Sequence, residues 1–311
     1  MNIAIIGTGG VGGYFGAKLA LAGNKVTFVA RGEHLKAIKE DGLLVKSING
    51  DMFIENVQAC SDIKSIGQAD LVITAVKAWQ IKDIREDIKA IIHEESIVLP
   101  LQNGVLAASE LDEVIPAKNV MGGLCRIFSM IEGPGVINHV GYKPEIVFGE
   151  LQGGHSGRMD ALSKLFNEAG IASKASRDIE ADVWKKFIFI CTSALLAVTK
   201  TTYGELRELP ETRQMMSDLL NEIYAVSQKV GVNIKPDLID KTIAIVDAVA
   251  YDSTSSLTRD VWEGKPSEID YQNGTVVKLA KEFGVDVPVN RFICNCIRPM
   301  ELKARGLKFS E

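Results

Sequence analysis

The sequence predicts an α/β fold in which a doubly wound parallel sheet is followed by an all-helical domain. Three observations predict it: the chain opens on an apolar strand that runs into a glycine-rich loop, the first half alternates strand-like with helix-like segments, and the second half contains only long helix-like segments. The pattern changes near Ser176, which indicates an N-terminal domain at residues 1–177 and a C-terminal domain at residues 178–311.

The first strand runs directly into the motif Gly7-Thr8-Gly9-Gly10-Val11-Gly12, which fits G-x-G-x-x-G. Gly7 permits a tight turn, Gly9 lets the backbone approach a pyrophosphate, and Gly12 lets a helix pack close to the strand. The N–H groups and the dipole at the start of the following helix, Tyr14–Ala22, would then hold the phosphates. Because the motif stands between a strand and a helix, it predicts a Rossmann-type dinucleotide site rather than a simple glycine-rich turn.

The residue after the second predicted strand, Lys25–Ala30, distinguishes between the two nicotinamide cofactors. NAD sites place a carboxylate there, which accepts from the ribose 2′-hydroxyl, whereas NADP sites place an arginine. This chain has Arg31, whose guanidinium can bind a 2′-phosphate in bidentate fashion, although a solvated surface arginine is the alternative. Glu33 lies two residues further on and would instead fit NAD. The sequence therefore predicts NADP, bound as NADPH.

Composition argues against several classes of protein. The net charge of −5 over 311 residues argues against nucleic acid or an anionic membrane as the main partner. The five cysteines include no C-x-x-C pair and the four histidines are scattered, which predicts reduced thiols in a cytoplasmic protein and no metal site. The N-terminal apolar run is too short for a signal peptide, and no apolar run approaches the roughly 20 residues that span a bilayer.

Strand-like and helix-like segments alternate through the first half. The predicted strands after the second are Ala69–Val76, Ser96–Leu101, Val120–Phe128 and Ile146–Phe148. The predicted helices are Trp79–Ile92, a segment from about Ala107, and Met159–Glu168. In such a parallel sheet, ligands bind beyond the carboxyl ends of the strands. Lys77 and Asn103 each follow a predicted strand and are therefore candidates for a ligand contact, although Asn103 is equally typical of a turn.

The second half is predicted to be helical throughout. Its predicted helices are Ile179–Thr199, Glu211–Val230, Pro236–Asp247, Ser255–Glu263 and Glu268–Phe283. The first of these is apolar nearly all round, which predicts burial, yet it contains Lys186 on the same face as Val183 and Ile190. Partial desolvation would lower the pKa of Lys186 into a range useful for proton transfer. The alternative is a lysine that extends into solvent, as we expect for Lys185.

Three further polar residues of this half have a simpler structural interpretation. Glu268 stands at a predicted helix start, where a glutamate is favoured by the helix dipole, so capping is the default expectation. Ser255 and Ser256, which precede Asp260, are likewise typical of a helix entry.

Taken together, these residues resemble the ketopantoate reductase (2-dehydropantoate 2-reductase) family over nearly the whole chain. The matching segments are Gly7-x-Gly9-x-x-Gly12, Val76-Lys77-Ala78-Trp79-Gln80, Asn103-Gly104, Trp184-Lys185-Lys186, Thr254-Ser255-Ser256 with Asp260, Glu268-Ile269-Asp270-Tyr271-x-Asn273-Gly274 and Gly284-Val-Asp-Val-Pro288-Val-Asn290. The resemblance implies NADPH-dependent reduction of 2-oxopantoate, a small-molecule 2-oxo acid, to (R)-pantoate on the way to pantothenate and coenzyme A. By family analogy alone it also implies a homodimer.

The resemblance implies roles for individual residues. Lys186 would be the general acid, and Glu268 would contact the substrate and hold the environment of the lysine. Asn103 would position nicotinamide and substrate, Ser256 would bind the far end of the substrate, and Arg31 and Lys77 would bind the phosphate and ribose of NADPH. The implied substrate-binding residues are Asn103, Lys186, Ser256 and Glu268. The implied cofactor-binding residues are Gly7, Thr8, Gly9, Gly10, Val11, Gly12, Arg31, Lys77, Asn103 and Glu268.

The chain departs from the family pattern beside the proposed proton donor. The best-known members carry asparagines four and eight residues after the lysine, where this chain has Ile190 and Ala194, and Ser253 replaces another expected asparagine. A more apolar pocket would suit a D-2-hydroxyacid dehydrogenase of the D-mandelate type, acting on branched or aromatic 2-oxo acids. A nucleotide-binding sensor without turnover is a third hypothesis, which retention of Lys186 and Glu268 disfavours.

Overall fold

The protein, represented by a computed structural model, is described over residues 1–309. It divides into two compact units. Unit 1 contains residues 1–102 and 106–180, and unit 2 contains residues 103–105 together with the described residues from Ala181 onward. Asn103 therefore belongs to the second unit although strands of the first unit precede and follow it. The domain boundary at residues 177 and 178 stays a prediction.

The strands of unit 1 form two sheets. Their bounds are β1 (Asn2–Ile6), β2 (Lys25–Val29), β3 (Leu43–Ser47), β4 (Met52–Ile54), β5 (Gln58–Cys60), β6 (Ala69–Thr74), β7 (Ile92–Pro100), β8 (Gly122–Gly133), β9 (Val136–Gly149) and β10 (Ala172–Ala175). The first sheet has the order β5-β2-β1-β6-β7 with every neighbouring pair parallel. Central β1 is buried from Ile3 to Ile6, since a parallel sheet of this kind is covered on both faces. The predicted parallel sheet is thus confirmed.

The second sheet was not predicted, and it corrects the assignment of the later strands. The predicted strand Val120–Phe128 overlaps β8 from Gly122 onward, and the predicted strand Ile146–Phe148 lies in β9. Strands β8 and β9 pair antiparallel through a turn at Pro134 and Gly135. Gly135 has φ +72°, a conformation that glycine adopts without strain and that allows the chain to reverse within two residues. Strand β9 also pairs in parallel with β3 and β10, so this sheet is mixed.

The helices of unit 1 connect and cover these sheets. Their bounds are α1 (Gly10–Leu21), α2 (Gly32–Asp41), α3 (Ile81–Lys89), α4 (Ala107–Asp112) and α5 (Gly157–Glu168). Helix α1 packs closely on both sheets: a Cβ atom at Gly16 would lie 2.5 Å from the Phe28 ring, and one at Gly13 would lie 2.7 Å from Ile137. The helix predicted at Trp79–Ile92 is observed as the shorter α3, Ile81–Lys89, and Ile92 already belongs to β7.

Unit 2 is built from helices, as the sequence predicts. Their bounds are α6 (Ile179–Ile190, whose first two residues belong to unit 1), α7 (Thr192–Thr199), α8 (Tyr203–Glu208), α9 (Pro210–Val230), α10 (Leu238–Ala248), α11 (Ser256–Trp262), α12 (Asn273–Phe283) and α13 (Pro288–Ala304). Helices α8 and α13 were not predicted. The core of the unit is one apolar cluster to which most of these helices contribute, with Phe187, Leu195 and Leu219 completely buried. The predicted fold class is confirmed.

Two helices predicted as continuous are interrupted. The predicted helix Ile179–Thr199 breaks at Cys191, because Thr192 and Ser193 donate their hydroxyl groups to the carbonyls of Phe189 and Ile190 and so compete with the helical hydrogen bonds. The predicted helix Glu268–Phe283 begins only at Asn273. One turn of 3₁₀ helix, Ile269–Tyr271, precedes it.

The described residues also bear on the membrane and metal predictions. Over residues 1–309, no helix is long and apolar enough to cross a membrane. In the same part of the chain, no group of three or more histidine, cysteine, aspartate or glutamate residues is arranged to hold a metal ion.

Candidate active site

The glycine motif forms the turn between β1 and α1. Gly7 has φ +100°, and a Cβ atom at Gly12 would lie 2.1 Å from the Gly7 carbonyl oxygen, so the turn excludes side chains at both positions. At Gly9, by contrast, an added Cβ would meet no atom within 4 Å. The backbone at Gly9 therefore borders open space, which is what the approach of a pyrophosphate requires.

The start of α1 offers backbone N–H groups. The first hydrogen bond of this helix runs from Gly13 N–H to the Gly9 carbonyl at 2.7 Å. The N–H groups of Gly10, Val11 and Gly12 therefore lack an acceptor within the helix, as expected at a helix start. Gly10 has no room for a side chain, because a Cβ atom there would lie 2.3 Å from the Ser129 carbonyl oxygen. This loop can bind an anion through its backbone.

Thr8 supports the loop through its own hydrogen bonds. Its backbone N–H and its hydroxyl group both donate to the Val29 carbonyl, at 3.0 and 2.9 Å, and only 3% of the residue is exposed. Its carbonyl accepts from Nε2 of His34 at 2.8 Å. Sequence reasoning missed His34, since a lone histidine in the first turn of a helix carries no motif.

Arg31 and Lys77 each follow a parallel strand of unit 1. Arg31 is exposed at the N-cap of α2, after β2, so its guanidinium can reach a ligand in solvent. Glu33 is also exposed, in the first turn of the same helix. Lys77 is half-buried after β6, and its ammonium lies 5.8 Å from the centre of the Trp79 ring. Both basic residues lie beyond the carboxyl ends of strands, where ligands of such sheets bind.

In unit 2, three of the predicted site residues are joined by hydrogen bonds. Lys186 Nζ donates to Asn103 Oδ1 at 2.9 Å, and Asn103 Nδ2 donates to Glu268 Oε2 at 3.2 Å. Glu268 is only 5% exposed, while Lys186 and Asn103 are half-buried. Because a carboxylate oxygen can only accept, Glu268 requires the amide nitrogen of Asn103 on its side and so presents the amide oxygen to Lys186.

The default expectation that Glu268 caps a helix is wrong. Glu268 is the N-cap residue of the 3₁₀ turn, but its side chain makes no capping hydrogen bond and accepts from Asn103 instead. Ser267, the residue before Glu268, is held by Glu301 of α13. The Glu301 carboxylate accepts from the backbone N–H and the hydroxyl group of Ser267, at 2.9 and 2.6 Å. Arg305 in turn donates to Glu301 at 2.6 Å. This partly buried ion pair was not predicted from sequence.

The neighbours of Lys186 separate into surface and core positions. Lys185 donates to Asp182 at 2.9 Å with 42% of its side chain exposed, which matches the expectation that it extends into solvent. Ile190 is half-buried, one helical turn after Lys186 on α6. Ala194 is completely buried and lies on α7, beyond the interruption at Cys191.

Ser256 is the first residue of α11 and is exposed. Its neighbour Ser255 is the N-cap residue, whose hydroxyl accepts from Thr258 N–H at 3.1 Å, so the helix entry predicted here is confirmed. The structure thus brings Asn103, Lys186 and Glu268 together in unit 2. The glycine loop, Arg31 and Lys77 belong to unit 1.

The whole chain resembles proteins of one family. Residues 3–153 match the profile of the ketopantoate reductase PanE/ApbA family, and residues 178–301 match its C-terminal profile. A 2-dehydropantoate 2-reductase from Nostoc is 33% identical over 291 residues, covering 92% of this chain and 90% of the relative. An oxidoreductase of Bacillus subtilis, named YkpB, is 32% identical over 290 residues, covering 93% and 95% of the two chains.

Solved structures agree with these matches. A PanE/ApbA family ketopantoate reductase from Ralstonia eutropha superposes with a TM-score of 0.90 at 31% identity, over 98% of this chain and 100% of that one. A D-mandelate dehydrogenase with NADH and anilino(oxo)acetate superposes with a TM-score of 0.89 at 25% identity, again over 98% and 100% of the two chains. By sequence and by fold, the chain belongs to the ketopantoate reductase family of oxidoreductases.

Proposed function

We propose that this protein reduces 2-dehydropantoate to (R)-pantoate with NADPH, a step toward pantothenate and coenzyme A. The observation that carries the proposal is the hydrogen-bonded series Lys186–Asn103–Glu268, which pairs a lysine ammonium with a nearly buried carboxylate through one oriented amide. A nucleotide-binding sensor would need the glycine loop but no such proton donor. The 2-dehydropantoate 2-reductases among the relatives of this chain support the choice of substrate.

The residues of unit 1 fit a nicotinamide dinucleotide. The open space at Gly9 and the N–H groups at the start of α1 suit the pyrophosphate, and exposed Arg31 suits a ribose 2′-phosphate. Lys77 adds a second positive charge beyond the end of β6. When bound, the cofactor supplies a hydride to the 2-oxo carbon of the substrate. Exposed Glu33 keeps NADH as the alternative to be tested.

The proposed role of Lys186 is to donate a proton to the carbonyl oxygen of the substrate. The carbon–oxygen π electrons move to that oxygen as hydride arrives at carbon, and the ammonium stabilises the developing negative charge before it transfers the proton. The amine left behind regains a proton from water. Asn103 holds the ammonium in place through its amide oxygen, and Glu268 fixes the orientation of that amide. We further assign Asn103, Glu268 and Ser256 to contacts with the substrate.

A second candidate function rests on the apolar residues near Lys186. Ile190 replaces a polar family residue one turn after the lysine, and Ala194 replaces another. These replacements favour a D-2-hydroxyacid dehydrogenase that acts on branched or aromatic 2-oxo acids. The D-mandelate dehydrogenase neighbour, solved with NADH, fits this alternative.

Steady-state kinetics with a panel of substrates tests both functions. We would measure kcat/KM for 2-oxopantoate, 2-oxoisovalerate, 2-oxoisocaproate and phenylglyoxylate, each with NADPH and with NADH. The proposal expects the highest value for 2-oxopantoate with NADPH. A preference for the branched or aromatic acids would select the second function, and nucleotide binding without turnover of any of the four acids would contradict both.

A further inference from the structure

One histidine joins the glycine loop to the hairpin of the second sheet. His34, in the first turn of α2, donates from Nε2 to the Thr8 carbonyl at 2.8 Å, and its Nδ1 accepts from the Gly135 N–H at 3.0 Å. His34 is half-buried. Gly135 is itself anchored, because its carbonyl accepts from Leu44 N–H at 3.0 Å. The ring therefore connects the loop to a fixed point of the sheet.

These two partners determine the protonation of the ring. A backbone N–H can only donate, so Nδ1 of His34 accepts from Gly135. A backbone carbonyl can only accept, so Nε2 carries the hydrogen and donates to Thr8. The bonded ring is thus neutral and protonated at Nε2. Both of its nitrogens are occupied by backbone, so the ring does not serve as a cationic phosphate ligand.

The bond from His34 fixes the orientation of the peptide between Thr8 and Gly9. In a trans peptide the C=O of one residue and the N–H of the next point in opposite directions, so anchoring the Thr8 carbonyl also fixes where the Gly9 N–H points. Thr8 is held from its other side by the Val29 carbonyl. Gly9 is the residue at which the backbone borders open space, the position where a pyrophosphate would approach.

We propose that His34 is a positioning residue for cofactor binding, which orients the Thr8–Gly9 peptide toward the pyrophosphate of a nicotinamide dinucleotide. This inference rests on the proposed use of the glycine loop for the cofactor. It differs from the role of Arg31 in one measurable respect. The pyrophosphate is common to NADPH and NADH, so loss of His34 weakens both by the same factor, whereas loss of Arg31 acts on NADPH.

The test is the Kd of NADPH and of NADH for the full chain and for His34→Ala and His34→Gln, measured by nicotinamide fluorescence. We expect His34→Ala to raise both Kd values about tenfold, the equivalent of one hydrogen bond of about 1.4 kcal/mol. Glutamine carries its amide nitrogen as many bonds from Cα as histidine carries Nε2, so His34→Gln can still donate to Thr8 and should stay within about threefold of the unaltered chain. His155→Ala is the matched control, since His155 lies at the surface beside Asp160.

Steady-state kinetics distinguish a specific effect on cofactor binding from a general loss of folded, active protein. In His34→Ala the KM for NADPH should rise, while kcat at saturating NADPH and the KM for the 2-oxo acid stay within about twofold. Unchanged Kd values in His34→Ala, or an equal loss in His34→Gln, would overturn the inference while leaving the proposed function intact. If His34→Ala does not fold, the Kd values of His34→Gln decide the test. Values within about threefold of the unaltered chain support the inference, and a rise of about tenfold in both overturns it. Failure of the unaltered chain to bind either nucleotide would instead overturn the proposed function.

Discussion

Asn273 donates from its side-chain Nδ2 to the backbone carbonyl of Cys191 at 3.1 Å. Cys191 follows Lys186 by five residues, and Asn273 follows Glu268 by five residues. This bond is therefore a second link between the segment that carries Lys186 and the segment that carries Glu268, in addition to the link through Asn103. Asn273 Nδ2 also donates to Asn290 Oδ1 at 3.0 Å, and both asparagines are completely buried.

Replacing this buried amide should destabilise the protein. In Asn273→Ala the Cys191 carbonyl and Asn290 Oδ1 lose a buried donor, at a cost of about 1–3 kcal/mol each. We expect the free energy of unfolding to fall by about 2–6 kcal/mol, measured by urea denaturation. Asn221→Ala, on the exposed side of α9, is the control and should change it by less than about 0.5 kcal/mol. An equal effect of the two variants would contradict the prediction.

Lys186 and Lys185 form a matched pair for testing the proton donor. Lys186→Ala should lower kcat about a hundredfold or more, in the range of general acid catalysis, because the carbonyl oxygen loses its proton source. Lys185→Ala removes a partly buried ion pair with Asp182, outside the Lys186–Asn103–Glu268 series, and should leave kcat within about twofold. Steady-state kinetics at saturating NADPH measures both. Normal turnover in Lys186→Ala would remove that lysine from the mechanism.

Arg31 should set the preference between the two cofactors. Its exposed guanidinium is proposed to bind the 2′-phosphate, which NADH lacks. We therefore expect Arg31→Ala to raise the KM for NADPH at least about tenfold and to change the KM for NADH by less than about twofold. Arg291→Ala, which breaks a surface ion pair with Asp286 in unit 2, is the control. Equal effects of Arg31→Ala on both cofactors would refute the 2′-phosphate assignment.

Ile190 should influence the choice of substrate. An asparagine at this half-buried position, one turn after Lys186, would offer a polar side chain to a hydroxylated substrate. Ile190→Asn is expected to raise the ratio of kcat/KM for 2-oxopantoate to that for 2-oxoisocaproate about tenfold, in the range of one pocket contact. Ile190→Leu, which keeps the position apolar, should leave the ratio unchanged. If the ratio of the two kcat/KM values stays constant in both variants, Ile190 does not determine substrate preference.

Two thiols of unit 2 should resist alkylation. Burial raises the pKa of the Cys191 thiol well above its ordinary value, with a smaller effect of Cys294. Burial, followed by the negative charge of Asp270, raises the pKa of Cys294 to about 12. With that pKa, only about one Cys294 in ten thousand is ionised at pH 8, and the ionised fraction increases as pH rises toward the pKa. Alkylation is therefore slow, because the thiolate is the reactive form. Iodoacetamide followed by peptide mass spectrometry should find both unmodified in native protein and labelled in urea.

The sequence predicted several features whose physical cause is local, although it missed the local break of the helix at Cys191. The turn at the glycine motif depends on steric limits within a few residues, as the contact of Gly12 with the Gly7 carbonyl demonstrates. The burial of β1 follows from an uninterrupted apolar run. The second sheet was missed because β9 pairs with β3, which lies about ninety residues earlier, and no local pattern specifies such a partner. The break at Cys191 depends on hydroxyl groups that compete with the helix backbone.

The amino-acid sequence was sufficient to predict the fold class, the glycine loop and the residue types available for catalysis, because backbone sterics and hydrophobic periodicity act over short stretches of chain. Which of those residues meet depends on the packing of distant segments. Asn103 lies 83 residues from Lys186 and 165 from Glu268, yet one amide joins them. Such contacts depend on how distant segments pack, and so does the position of His34 beneath the glycine loop. Local propensities do not encode this packing, and it is the packing that brings the candidate residues within hydrogen-bonding distance of one another.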